Sequence, residues 1–199
     1  MLSSRNMMNS TAYHHGDLRT ALLDAAEDDL RRTPDAVPSI RALAARLGVS
    51  ATAPHAHFRT KSDLMTALAV RGFQRLASEL EEARHETPDL TALAEAYMTF
   101  AAENLGVYRL MFATGTRVED DERLRHVSRA AYDMLRDTVK EVLPAATDVE
   151  RKERTLAAWG VVHGLASLAA EGRISADTLD DRSPRNLARL AAALITGGP

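Results

Sequence analysis

The sequence predicts an all-α protein: an N-terminal three-helix helix-turn-helix unit followed by a C-terminal helical bundle. Three observations predict it. Apolar residues recur at three- and four-residue spacings along most of the chain, the period of one helix face, and no stretch alternates convincingly as a strand. Proline, glycine and capping residues punctuate that pattern at intervals suited to separate helices. Between Ser39 and Lys61 the punctuation tightens into helix, glycine turn and capped helix.

In chain order, residues 1–13 are polar and read as a flexible arm. Asp17 is the expected N-cap of a first long helix carrying Leu18, Leu22, Ala26 and Leu30 at four-residue spacing. The loop Thr33–Pro38, with two prolines, ends it. Ser39 then caps a short helix with Ile40, Leu43, Ala44 and Leu47 on one face, and Gly48 follows, where a left-handed turn suits glycine. Val49 plugs the corner. Ser50 opens a second short helix to Phe58, in which only Phe58 is a strong apolar anchor. Its other side chains are small or polar, which lets a backbone approach a phosphate-lined groove. Thr60 to Asp63 has the form of a capping box. It opens a connecting helix over residues 61–85 with Leu64, Leu68, Phe73, Leu76 and Leu80 as apolar residues.

The remainder, residues 86–199, reads as a second part built of further helices. Thr87-Pro88 is the expected start of one, bearing Leu90, Leu93, Ala94, Tyr97, Phe100 and Ala101. Gly106 separates it from a short apolar piece, Val107 to Ala113. Gly115 and the acidic run Glu119 to Glu122 form a loop and a new start. The next helix, about Asp121 to Leu143, buries Leu124, Val127, Met134 and Leu135 and stops at Pro144. Asp148 caps a long helix reaching Glu171, ended by Gly172, and Ser183-Pro184 opens the last.

The residues Ile40, Leu43, Ala44, Leu47, Gly48, Val49, Ser50, His57, Phe58, Lys61 and Leu64 resemble, in order, the DNA-binding domain of the TetR family of bacterial transcriptional regulators. The likeness runs from about Tyr13 to Leu76, so residues 14–60 are expected to be the DNA-binding domain. The chain departs from the family pattern at His55, where a tyrosine is usual, and at Ala56, where a larger polar residue is common. Trp159-Gly160-Val161-Val162-His163-Gly164 also resembles the Trp-His-Gly signature of one C-terminal domain type in that family. The resemblance implies a repressor role on a double-stranded DNA operator with an inverted repeat, bound by a homodimer and released by a small hydrophobic effector. The rival reading is a helical small-molecule-binding or interaction protein without sequence-specific DNA binding, which an operator-binding assay separates.

Candidate sites follow. Ala51, Thr52 and His55 are the base-edge candidates. Ser39, His57, Thr60 and Lys61 are the phosphate candidates, and Ser50 and Ala53 complete the presented segment. A cation at the start of a helix, as Lys61 is, opposes the helix dipole and makes sense beside a phosphate. Aromatic and methionine residues concentrated between positions 97 and 163 suggest an adaptable pocket. Its expected walls are Tyr97, Phe100, Met111, Phe112, Met134 and Trp159, with Ala101 at the site and His163 as polar anchor. The long helix after Asp148 is apolar on more than one side, so it must be buried twice. With the last helix it suggests a four-helix dimer interface of Val161, Leu165, Leu168, Leu187, Leu190 and Leu194, with Gly160 and Gly164 allowing close approach.

Composition bounds the alternatives. The 199 residues are 45% hydrophobic and include no cysteine, which excludes disulfides, thiolate metal sites and thiol nucleophiles. The net charge of −3 is unevenly spread. Residues 1–75 hold ten Arg/Lys and seven Asp/Glu, a net +3, while residues 76–199 hold fifteen and twenty-one, a net −6. The basic part coincides with the helix-turn-helix. No metal site, no cofactor and no enzyme activity are expected: His55 and His57 at i, i+2 point apart, and neither a nucleophile elbow nor a phosphate loop is present. The start lacks a signal-peptide core and no apolar run suits a membrane span, so a cytoplasmic location without membrane contact is the expectation.

Overall fold

The computed structural model describes residues 18–86, 89–113, 121–175 and 177–196. Within them lie eight α-helices and one 3-10 turn, and no strand. The helices are α1 (Leu18–Arg32), α2 (Ile40–Arg46), α3 (Lys61–Glu86), α4 (Leu90–Glu103), α5 (Leu105–Met111), α6 (Glu122–Val142), α7 (Asp148–Ala170) and α8 (Pro184–Thr196). The all-α expectation holds. The arm with His14 and His15, the Asp17 cap, the Thr87-Pro88 start and the Gly115 loop through residue 120 lie outside the described residues.

In the N-terminal unit, α1 packs on α2, α3 and the 3-10 turn. Leu22, Leu30, Leu43, Phe58, Leu64 and Leu68 are fully buried where these pieces meet. Gly48 takes φ +68°, the left-handed geometry expected of it, and lets the chain turn sharply off α2. Arg46 ties α2 to α1 through Asp29 (2.5 Å) and the carbonyl of Ala25. Arg19 lies 5.4 Å from the centre of the Phe58 ring.

The long α3 joins this unit to the bundle, packing on α1 at one end and on α4, α5 and α6 further along. A single apolar cluster runs from Leu18 to Ala191, so the two parts share one continuous core. Polar ties reinforce the junction. Buried Glu27 accepts from Arg75 at 2.7 Å, Arg75 also reaches Asn104 Oδ1 at 3.0 Å, and Arg71 meets Asp24 at 2.6 Å. In the bundle, α4 packs on α8 and α7, and α6 packs on α3 and α7.

Five local expectations are corrected. The second helix of the motif is a single 3-10 turn, Ala53–Ala56, with Pro54 in its first turn, and the segment has few apolar groups to pull it into a longer helix. Ser39 makes no side-chain cap, although its carbonyl accepts from Leu43 N. The cap of α4 is Asp89, two residues past the expected one: its Oδ1 accepts from Thr91 N (2.5 Å) and Ala92 N (2.8 Å). Thr147, not Asp148, caps α7, in a capping box with Glu150. The break after α4 falls at Asn104, while Gly106 lies inside α5. Its missing side chain lets α5 press on α1: a Cβ there would sit 2.5 Å from the Leu30 carbonyl oxygen.

Candidate functional site

Two concavities collect most of the candidate residues. The first lies between the start of α2, the 3-10 turn and the start of α3. It measures about 540 Å³ and is lined by Ser39, Arg41, Thr52, His55 and Lys61, with Ala51 at its edge. Local chemistry shapes it. Ser50 Oγ accepts from Ala53 N and lies 3.2 Å from Thr52 Oγ1, which locks the turn before Pro54. Thr60 and Asp63 form the expected reciprocal box: Thr60 N donates to Asp63 Oδ2 (2.9 Å) and Asp63 N to Thr60 Oγ1 (3.1 Å). Those bonds hold the Asp63 carboxyl below its ordinary range. They also fix the first turn of α3, where Lys61 stands exposed.

Among the described residues Arg41 and Lys61 have no ion-pair partner, so the groove carries two uncompensated cations beside hydroxyl and imidazole donors. Of the nine nucleic-acid candidates, Ser39, Ala51, Thr52, His55 and Lys61 meet in the groove. Ser50 and Thr60 act as local caps beside it, and Ala53 packs against the core. His57 is half-buried and off its lining. Arg41 was missed; its exposed place one residue past the start of α2 was visible in the sequence, but its proximity to Lys61 was not.

The second concavity opens in the C-terminal bundle, about 580 Å³, bounded by α3, α4, α6 and α7. Phe73, Leu76 and Leu80 of α3 form one wall, Leu93, Ala94 and Tyr97 of α4 another. Trp159 and Val162 of α7 face Tyr132 and Leu135 of α6, with Tyr132 edge-on to Trp159 at 5.8 Å. The polar rim comes from α6 alone: Arg125, Ser128 and Arg129.

Of the eight pocket candidates, Tyr97, Phe112 and Trp159 line this cavity and five do not. Phe100, Ala101 and Met111 are buried in the core between helices, and Met134 packs against that core from α6. Phe100, Ala101 and Met134 sit on helices that bound the cavity but on faces turned from it, since apolar periodicity does not tell a packed face from a lining one. His163 is also off the lining. Its Nδ1 lies 2.9 Å from the Tyr97 hydroxyl and 3.1 Å from that of Tyr108, which also reaches Ser167 Oγ at 3.1 Å. Burial holds the imidazole pKa below its ordinary value and pushes both tyrosines above theirs, which favours the neutral form of all three rings. Phe112 packs 4.4 Å from the His163 ring, and both Phe112 and the knot's Tyr97 line the cavity. The knot joins α4, α5 and α7 and is the packed form of the Trp-His-Gly segment.

The proposed dimer residues divide. Leu187 is buried in its own chain, and Val161 and Leu165 are partly buried against the core. Leu168, Leu190 and Leu194 are exposed, Leu194 at 70%. α7 buries only a narrow stripe, Thr155, Ala158, Val162 and Ala166. A Cβ added at Gly160 or Gly164 would meet nothing within 4 Å. Among the described residues no group of His, Asp and Glu suits a metal ion, and no helix is long and apolar enough to cross a membrane.

Residues 90–194 match the family described as tetracyclin repressor-like, C-terminal domain. The nucleoid occlusion factor SlmA of Marinomonas sp. (strain MWYL1) is 30% identical over 134 residues, 65% of this chain and 68% of that protein. The nicotine-responsive transcriptional repressor HdnoR of Paenarthrobacter nicotinovorans is 27% identical over 154 residues, 75% of this chain and 78% of that one. A structure from Rhodococcus sp. RHA1, described as a protein with unknown function, superimposes with a TM-score of 0.77 at 32% identity, covering 93% of this chain and 96% of that one. The TetR family regulator PfmR of Thermus thermophilus shares the fold, with a TM-score of 0.63 at 17% identity over 89% and 97% of the two chains.

Proposed function

Because the chain belongs to the TetR family of transcriptional regulators, we propose that it is a repressor that binds an inverted-repeat operator as a homodimer and releases it when a small, mainly apolar effector enters the bundle cavity. Residues 14–60 read DNA, residues 61–85 connect, residues 86–199 bind effector and dimerise, and the protein works in the cytoplasm. The carrying observation is the groove in which Arg41 and Lys61, free of carboxylates among the described residues, flank Thr52 and His55. Uncompensated cations attract phosphates, and the side chains between them are short enough to leave the groove open to a duplex edge.

The exposed apolar stretch of α7 and α8 supports the dimer. Leu168, Leu190 and Leu194 stand exposed among the described residues, and Gly160 lets another helix come close. Effector control is supported by α3, which carries Lys61 at its start and Phe73, Leu76 and Leu80 on the cavity wall. A ligand pressed on that wall bears on the helix that begins at the groove. It shifts the DNA-binding equilibrium only by its differential affinity for the two forms. A ~100-fold preference corresponds to about 2.7 kcal/mol of coupling, and operator DNA then weakens effector binding by the same factor. The relative named as nicotine-responsive is in keeping with control by a small molecule.

The test is selection of bound DNA from a random pool, followed by titration at matched length and salt. Expected is a palindrome with half-sites about one helical turn, ~34–36 Å, or a multiple apart, bound far more tightly than a lone half-site. Lys61→Ala should weaken binding to every sequence and lower the salt slope by about one unit. Equal affinity for half-site and palindrome overturns the dimeric reading, and no enrichment from the pool overturns DNA reading altogether.

A further inference from the structure

The bundle cavity is apolar on three sides and cationic on the fourth. Arg125, Ser128, Arg129 and Tyr132 stand at i, i+3, i+4 and i+7 on α6, so one stripe of that helix presents two guanidiniums, a hydroxyl and a ring to the cavity. No Asp or Glu lines the cavity among the described residues. Several arginines elsewhere around the bundle meet carboxylates: Arg136 pairs with Asp133 (2.5 Å) and Asp137 (3.0 Å), Arg151 with Asp148 (3.0 Å), and Arg84 with Glu141. Arg125 and Arg129 have no such partner among the described residues. Like charges at i, i+4 repel, so the pair is disfavoured unless an anion sits between them.

We propose that the effector is an anionic amphiphile, an apolar chain or ring body ending in a carboxylate, with the carboxylate held by Arg125 and Arg129. This rests on the effector reading above and names the chemical class for that same site. The volume, about 580 Å³, suits a drug-sized molecule. Its body lies against Phe73, Leu76, Leu93 and Trp159, where burial of apolar surface provides the attraction. Its head reaches the rim on α6, where the planar guanidinium fork matches the two oxygens of a carboxylate. Ser128, between the two arginines, donates its hydroxyl proton to the Arg125 carbonyl at 3.2 Å, so the two guanidiniums alone hold the head. The head stays at the rim, near water, so neither charge is buried unpaired. A cationic effector of the same shape meets two positive groups and is rejected.

The experiment measures binding to the DNA-free full-length protein by calorimetry, at concentrations below micelle formation. The probes are dodecanoate, 1-dodecanol and dodecylammonium, which share a tail and differ in head charge. Dodecanoate should bind at least tenfold more tightly than the alcohol, and the ammonium most weakly. The double variant Arg125→Gln, Arg129→Gln should bring dodecanoate down to the alcohol's affinity and leave the alcohol unchanged. Both arginines lie on the rim rather than in the core, so folding should persist, and an unaltered circular dichroism melt checks it. Equal binding of acid and alcohol, or an acid preference that survives the double substitution, overturns the carboxylate proposal while the effector reading stands. Binding of none of the three probes also overturns it. Whether any uncharged ligand then releases the selected operator decides the effector reading separately.

Discussion

The N-terminal unit and the C-terminal bundle hold their shapes by different means. In the first, short elements are set by backbone chemistry: the positive φ of Gly48, the Ser50 turn, the Thr60–Asp63 box, and one large anchor, Phe58, at 2% exposure. In the second, long helices are set by side chains meeting across the bundle, and they close incompletely, leaving about 580 Å³ open. The difference teaches where change is tolerated. A unit held by caps, turns and leucines packed around Phe58 presents a fixed groove, whereas a bundle with an unfilled centre accommodates a guest.

The strongest way to break that comparison is to remove the anchor. Phe58→Ala should destabilise the N-terminal unit by about 3–5 kcal/mol, the usual range for a buried phenylalanine. Hydrogen exchange should then show α1, α2 and the start of α3 opening well before α7 and α8. Uniform opening across the chain would mean that the shared core makes the two parts one cooperative unit.

The next largest effect probes the seam. Gly106→Ala places a methyl against the Leu30 carbonyl, a backbone atom unable to swing aside. We expect a loss of about 1–3 kcal/mol in denaturant titration, typical of overpacking. It should also alter operator affinity, because α5 and α1 meet there. Normal stability would show that α5 moves freely relative to α1.

A smaller, opposite effect is expected at Gly160, where a new Cβ meets nothing in the single chain. Gly160→Ala should stabilise an isolated helix by roughly 0.5–1 kcal/mol. If a second copy packs closely on α7, sedimentation should instead show a weakened dimer. A tight dimer together with a raised melting point would move the interface off this face.

The smallest effect sharpens the account of the bundle's polar knot. The folded pKa of His163 lies below the ordinary 6.5 because burial disfavours the imidazolium. Between that ordinary value and the lowered one, the unfolded chain binds more protons than the folded chain. The contribution is therefore complete above about pH 6.5 and is lost as pH falls below it. His163→Gln should lose less thermal stability than the parent between pH 7 and pH 5. The lowered carboxylates Asp63, Glu150 and Asp181 act in more acidic solution, where they lose stability as they protonate. Identical pH profiles for parent and variant would remove His163 from the account.

Legibility followed the same division. Much of the N-terminal unit was readable because its signals are local: a glycine after the last apolar residue, or a threonine three residues before an aspartate, acts on its own neighbours. Even there, the expected second helix is one 3-10 turn, since its small and polar side chains offer too little apolar surface to hold a longer helix. In the bundle the helices were readable but their facing was not. Phe100 and Tyr97 are three residues apart on α4, yet only Tyr97 lines the cavity.

By itself the sequence determined the all-α class, the helix-turn-helix, the connecting helix and the apolar character of the last helices, because periodicity, caps and turns are properties of neighbouring residues. Only the tertiary structure decided that His163 is held by two tyrosines, that Arg125 and Arg129 face a cavity, that Arg41 joins Lys61, and that Gly106 presses on Leu30. Each of these depends on which helix lies opposite. That choice is made by the burial of many apolar faces at once, and no single stretch of chain contains it.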